Sequence, residues 1–137
     1  MPRRGAVVLA VLAAAGVAVA AATWVRLGAR TVNFRTEHDV IRVGIDRGRF
    51  RAIRFEVRRH AVRIVDVKVT FGNRTVHDVP LRAVIPAGGR SRVIELPGGP
   101  RRIRRIDFVY RSAAPPPPAR RGRRPRPKAV VEAWGLR

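Results

Sequence analysis

The feature that most constrains the fold is a period-two alternation of apolar and polar residues that runs from Thr31 to Tyr110. In Val65–Phe71 the apolar side chains fall on one face of an extended chain, and the run stops at Gly72-Asn73, a pair typical of turns. Ile53–Val57 alternates in the same way. Such alternation is typical of antiparallel strands with one buried face. The sequence therefore predicts an all-β domain.

Turn residues divide this region into short strands spaced by about 8 to 12 residues, which suits a small antiparallel β-sandwich of jelly-roll or immunoglobulin-like type. Pro80 interrupts one predicted strand and indicates a sheet edge or a bulge there. The predicted domain spans residues 31–135. We predict about eight strands: Thr31–Arg35, Val40–Gly44, Ile53–Val57, Val65–Phe71, Val76–Ile85, Val93–Leu96, Arg105–Arg111 and Lys128–Trp134.

Residues 112–127 break the alternation, because these sixteen residues include six prolines and five arginines. Consecutive prolines favour polyproline II, and a run of like charges keeps a chain extended through repulsion. The composition predicts a disordered loop that joins the last two strands.

The N-terminus carries a different pattern: Arg3 and Arg4 precede an uncharged stretch, Gly5–Val25, which contains the small-residue triplet Ala20–Ala22. A positive region, an apolar region and a small-residue cleavage site are typical of a secretory signal peptide. The sequence predicts an apolar helix over residues 1–22 that is cleaved after export, so that the protein is periplasmic or secreted. The alternative is an uncleaved inner-membrane anchor to about Val25 that leaves the domain facing the periplasm.

Composition narrows the chemistry. The chain has no cysteine, which excludes disulfides, thiol catalysis and cysteine-ligated zinc. Its formal net charge of +21 attracts polyanions without specifying one. Glu56, Asp66 and Asp107 alternate with apolar residues, so we predict that they pair with arginines on an outer sheet face.

Four stretches together carry a family resemblance: VDVKVTFGN (Val65–Asn73), AGGRSRVIELPGG (Ala87–Gly99), RRIRRIDFVYRS (Arg101–Ser112) and VVEAWG (Val130–Gly135). With them the chain resembles a group of small exported bacterial proteins built around a domain of unknown function, the type numbered 2541. The resemblance covers roughly residues 31–135 and implies a periplasmic location and a β-rich fold, but no reaction. The Pro/Arg segment departs from the family by being longer and more basic.

Residues for catalysis or metal binding are sparse. His38, His60 and His77 lack the spacing of a metal site, and neither Ser91 nor Ser112 lies in a nucleophile elbow. Catalysis needs convergent groups, such as a nucleophile beside a base. We therefore predict a protein that is not an enzyme and has no cofactor or metal.

Clustered basic residues predict an anion-binding surface. From this we predict that the protein is a non-enzymatic binding or structural module. The partners that we predict are anionic envelope components: lipid headgroups, lipopolysaccharide or acidic polymers. The alternative is a nucleic-acid-binding protein, cytosolic or membrane-tethered, although the sequence shows neither a recognition helix nor an aromatic stacking face. The predicted contact residues are Arg101, Arg102, Arg104, Arg105, Arg120, Arg121, Arg123, Arg124, Arg126 and Lys128.

Overall fold

The computed structural model describes residues 22–34, 37–113 and 128–137. In these residues ten strands form two antiparallel sheets, which confirms the predicted all-β class. The strands are β1 (Trp24–Val32), β2 (His38–Arg42), β3 (Arg49–Phe50), β4 (Ala52–Arg58), β5 (Val62–Phe71), β6 (Val76–Val79), β7 (Ala83–Ile85), β8 (Ile94–Glu95), β9 (Arg101–Ser112) and β10 (Ala129–Leu136). In the same part of the chain, no helix is long and apolar enough to cross a membrane. The predicted N-terminal helix lies outside the described residues.

The smaller sheet has four strands in the order β1-β10-β4-β8. The last strand of the chain, β10, therefore lies inside this sheet, antiparallel to both β1 and β4. The larger sheet has six strands, with β2, β9, β5 and β6 in order, β3 paired to β9 and β7 paired to β5. Period-two patterns identify strands but not their neighbours, so this order comes from the tertiary structure alone.

The core lies between the inner faces of the two sheets. The ring centroids of Phe55 in β4 and Phe108 in β9 are 5.9 Å apart, and those of Phe108 and Tyr110 are 5.5 Å apart. All three side chains are buried, as are Ile53 and Val57, which confirms the predicted inward face of β4. Aromatic pairs at these separations contribute about 0.5–1.5 kcal/mol beyond their area burial. The Phe55–Phe108 pair joins the two sheets in a sandwich-like arrangement.

The β5 strand departs from the simple alternation. Its pairing with β9 shifts register between Ile64 and Asp66, and Val65 is only half-buried while Ile64 and Val67 are buried. An extra residue at a bulge reverses which side chains face inward. The prediction that Val65 shares a face with Val67 was therefore wrong.

Several strand limits differ from the prediction. The first strand begins at Trp24 rather than at Thr31, and its pairing with β10 shifts register between Arg26 and Gly28. Because of this bulge-like shift, the buried and exposed residues of β1 do not alternate regularly, and the sequence shows no period-two pattern there. Trp24 and Val25, which the anchor alternative places in the apolar segment, are the first residues of β1.

The region predicted as one strand over residues 76–85 is two strands, β6 and β7, both paired to β5. The exposed Pro80 separates them at the sheet edge, as its missing N–H predicts. The Pro/Arg segment connects the last two strands as predicted, because β9 ends at Ser112 and β10 begins at Ala129. Its predicted disorder falls on residues outside the described part of the chain.

Candidate anion-binding groove

The predicted contact residues fall into three groups in the structure. Four are at the start of β9, at positions 101, 102, 104 and 105, and Lys128 is exposed just before β10. Arg120, Arg121, Arg123, Arg124 and Arg126 lie outside the described residues. Ser112, where the chain leaves β9 towards them, is eight residues beyond Arg104, about 26 Å along the strand at 3.3 Å per residue. The described residues thus do not bring the two predicted clusters together.

Arg101 is committed to contacts within the domain. Its guanidinium carbon lies 3.6 Å from the centroid of the Phe71 ring, and Nη2 donates hydrogen bonds to Thr75 Oγ1 at 2.9 Å and Asn73 Oδ1 at 3.2 Å. This side chain covers the core beside the β5–β6 turn. Its contacts indicate a structural contribution rather than a free anion-binding group.

Arg102 and Arg104 organise the loops around the start of β9. Arg102 Nη1 donates to the carbonyl of Ile45 at 2.6 Å, and Arg104 Nε donates to the carbonyl of Gly72 at 3.0 Å. The Arg104 carbonyl accepts the backbone N–H groups of Val43 and Gly44, both at 3.0 Å. These bonds hold the chain after β2 and the turn after β5 against β9.

The 3-10 turn at Ile45–Arg47 is also tied to β1 and to the residue that follows β10. Arg47 Nη2 donates to the carbonyl of Arg26 in β1 at 2.8 Å, and Arg137 Nη2 donates to the carbonyl of Arg47 at 2.8 Å. The flanking residues, Gly44 (φ 94°) and Gly48 (φ 103°), have backbone conformations that side chains rarely tolerate. The turn is therefore held in one geometry although none of its own residues is buried.

Between this turn, the ends of β2 and β9 and the β5–β6 hairpin lies a groove of about 770 Å³. That volume is within the range of about 300–1,000 Å³ typical of small-molecule sites. Four arginines and one carboxylate line it, so its electrostatic potential favours anions. The lining residues, which we call the basic groove, are Arg42, Val43, Gly44, Ile45, Asp46, Thr70, Arg74, Val76, Arg104 and Arg105.

Two of these arginines have uncommitted guanidinium groups. Neither Arg42 nor Arg74 forms a side-chain hydrogen bond or ion pair with another described residue. The sequence analysis missed both, although Arg42 alternates with the buried Ile41 and Val43 and so falls on the outward face. Arg74 follows the turn pair at the hairpin tip, and only the sheet register places it near Arg42.

Arg105 belongs to a charged network on the same outer face. Its Nε lies 3.1 Å from Asp107 Oδ2, and the other oxygen of Asp107 lies 3.0 Å from His38 Nε2. Arg42 also lines a second, smaller groove of about 450 Å³ between β1 and β2, where Arg30 and Asp39 form an ion pair at 2.9 Å. The single carboxylate that lines this smaller groove, Asp39, neutralises Arg30, so the smaller groove is less suited to an anion.

The three carboxylates predicted to pair with arginine behave differently. Glu56 pairs with Arg90 at 3.1 Å and Asp107 with Arg105, which confirms two of the three predictions. The third was wrong, because Asp66 pairs with none of the described arginines and its charged neighbours are Asp78 and Lys68. Burial, and then the hydrogen bond and charge repulsion from Asp78, raise the pKa of Asp66 above its usual 3.8.

No group of three or more metal-ligating side chains occurs in the part of the chain that the structure describes. His38 and His60 are exposed and His77 is half-buried.

Comparison with known proteins gives one match. A family model described as Domain of unknown function (DUF2541) matches residues 5–116. Searches of curated proteins and of solved structures gave no match. The match begins and ends earlier than the resemblance over residues 31–135, and it leaves out β10, although β10 is central to the smaller sheet. Because it covers most of the chain, the protein belongs to the DUF2541 family.

Proposed function

We propose that this protein is an exported, non-enzymatic module that binds phosphate-bearing components of the bacterial envelope in the basic groove. The observation that carries the proposal is the pair of uncommitted guanidinium groups, Arg42 and Arg74, in a concave site lined by two further arginines. Guanidinium groups match the geometry of phosphate oxygens and form charge-assisted hydrogen bonds with them. Export is supported by the signal-peptide pattern of the first 22 residues.

The groove is also preorganised for a ligand. The backbone hydrogen bonds from Val43 and Gly44 to Arg104, and the bond from Arg102 to Ile45, hold its walls through contacts within the domain itself. A site that is already ordered loses less conformational freedom on binding, which favours affinity.

The proposal is tested by titrating inorganic pyrophosphate into the purified chain in a calorimeter. The groove variant combines Arg42→Gln with Arg74→Asn, since asparagine tolerates the positive φ of 70° at position 74. The control combines Arg63→Gln with Arg92→Gln, two exposed arginines that do not line the groove and whose loss changes the net charge equally.

We expect the groove variant to lose at least about tenfold in affinity, which equals about 1.4 kcal/mol and the lower end for one charge-assisted hydrogen bond. The control should lose less than about twofold, because its charges act only through the screened long-range field. Removing the opposing charge with Asp46→Asn should instead strengthen binding. Equal losses in the groove and control variants would show non-specific attraction and refute the groove.

Export is tested by the intact mass and fractionation of the protein expressed in a Gram-negative host. A periplasmic species that starts at Thr23 supports the proposal. An uncleaved soluble species that binds DNA with a steep salt dependence would support nucleic-acid binding instead.

A further inference from the structure

The basic groove contains exposed aliphatic side chains as well as arginines. Ile45 is 43% exposed and Val76 is 56% exposed, and both line this groove. The other large exposed aliphatic residues in the described ranges, Val84 and Val93, do not line it. A single exposed aliphatic side chain is ordinary, but two in one concave cationic site indicate a ligand with apolar as well as anionic parts.

Ile45 is held in place by a backbone hydrogen bond rather than by packing in the hydrophobic core. Its carbonyl accepts the short bond from Arg102, and its Cγ2 atom lies 3.6 Å from where a Cβ atom on Gly72 would be. The domain thus holds an apolar side chain at the groove wall, against the hairpin that carries Val76. Ile45 lies outside the hydrophobic core, and the exposed part of its side chain is available for a ligand to cover.

The distribution of charge favours an amphiphile over a polymer of phosphates. The two uncommitted guanidinium groups suffice for one phosphate group. Asp46 lies in the same groove and would repel the next phosphate of a polyanion. An alkyl chain is uncharged, so Asp46 does not repel it, and it can cover the exposed side chains of Ile45 and Val76.

We propose that the natural ligand is an anionic amphiphile, an alkyl phosphate such as a lipid provides, whose phosphate binds Arg42 and Arg74 and whose first methylenes cover Ile45 and Val76. This inference rests on the proposed function of the groove. It adds the chemical class of the ligand.

The test measures dissociation constants for inorganic phosphate, butyl phosphate and octyl phosphate, each below its critical micelle concentration. Every methylene that the groove buries should tighten binding by about fourfold, which is the equivalent of about 0.8 kcal/mol. The groove-wall variant combines Ile45→Thr with Val76→Thr. The matched control combines Val84→Thr with Val93→Thr, the exposed valines outside the groove.

We expect octyl phosphate to bind the groove-wall variant about tenfold more weakly than the native chain. Inorganic phosphate should bind both equally, and the control should keep the full dependence on chain length. Equal melting temperatures would show that the exposed substitutions leave the fold intact.

The inference fails, and the proposed function survives, if inorganic phosphate binds through Arg42 and Arg74 but affinity does not rise with chain length. It fails also if the groove-wall and control variants lose the increment equally. Tighter binding of a linear polyphosphate than of octyl phosphate, unchanged in the groove-wall variant, would identify a polymer ligand. Absence of binding by every phosphate compound would refute the proposed function itself.

Discussion

Glu132 is the buried charged residue of the described domain, and its replacement tests how the smaller sheet is held together. The side chain is 3% exposed on β10, between β1 and β4. Arg26 Nε donates a hydrogen bond to Oε2, and Arg58 Nε lies 2.8 Å from Oε1 without hydrogen-bond alignment. The carboxylate therefore links both neighbouring strands to the last strand of the chain.

The expected change in the free energy of unfolding depends on which charged group loses its partner in each variant. Glu132→Gln removes the buried charge and releases two guanidinium groups that are 53% and 68% exposed, so water can solvate them. We expect a loss of about 1.5 kcal/mol in the free energy of unfolding, near the lower end for a hydrogen bond to a charged group. Arg26→Gln instead leaves the buried carboxylate without its aligned donor. We expect that change to cost more, about 2–3 kcal/mol, because an undercompensated buried charge is the larger penalty.

The assay is urea unfolding of the purified variants, with thermal melts in which 1 kcal/mol corresponds to about 4–8 °C for a domain of this size. Asp39→Asn is the control, because Asp39 is half-buried on β2 of the other sheet and pairs with Arg30, whose side chain is 54% exposed, which limits its effect to about 0.5 kcal/mol. The reasoning is refuted if Glu132→Gln destabilises the domain more than Arg26→Gln does, or no more than Asp39→Asn does.

Two further predictions concern packing and pH. Gly135→Ala should destabilise by at least about 2 kcal/mol in urea unfolding, because the new Cβ would lie 2.6 Å from Phe50 Cδ1 in the core, and near-native stability would contradict this packing. Asp66→Asn should gain stability relative to the native chain as the pH rises above 3.8. The raised pKa of Asp66 means that its favourable contribution is present below 3.8 and is lost as the pH rises through the folded-state pKa. Melting temperatures between pH 3 and 7 test this, and a difference that stays constant or shrinks with rising pH would show that folding does not raise the pKa of Asp66.

Part of the fold was predictable because strand periodicity is local. In β4, side chains alternate across the sheet, so Ile53, Phe55 and Val57 were assigned to the core before any partner strand was known. Pro80 marked a sheet edge for an equally local reason, its missing N–H.

Elements that depend on a distant partner were not predictable. The bulge at Val65 exists through pairing with β9, and β1 extends back to Trp24 because β10, more than 90 residues later, pairs with it. Neither interaction leaves a periodic signal in the sequence. The position of β10 between β1 and β4 likewise depends on which strands pair, and the period-two pattern does not show this.

For the functional site, the sequence by itself determined that the protein is highly basic and that arginines cluster around the start of β9. Only the tertiary structure decided which arginines are available. It committed Arg101 to the Phe71 ring and Arg102 to a backbone carbonyl, and it brought Arg42 and Arg74 to one groove although they are 32 residues apart. Charge is a sum over residues and is visible in composition, whereas a binding site depends on sheet register and hydrogen-bond partners, which only the folded chain sets.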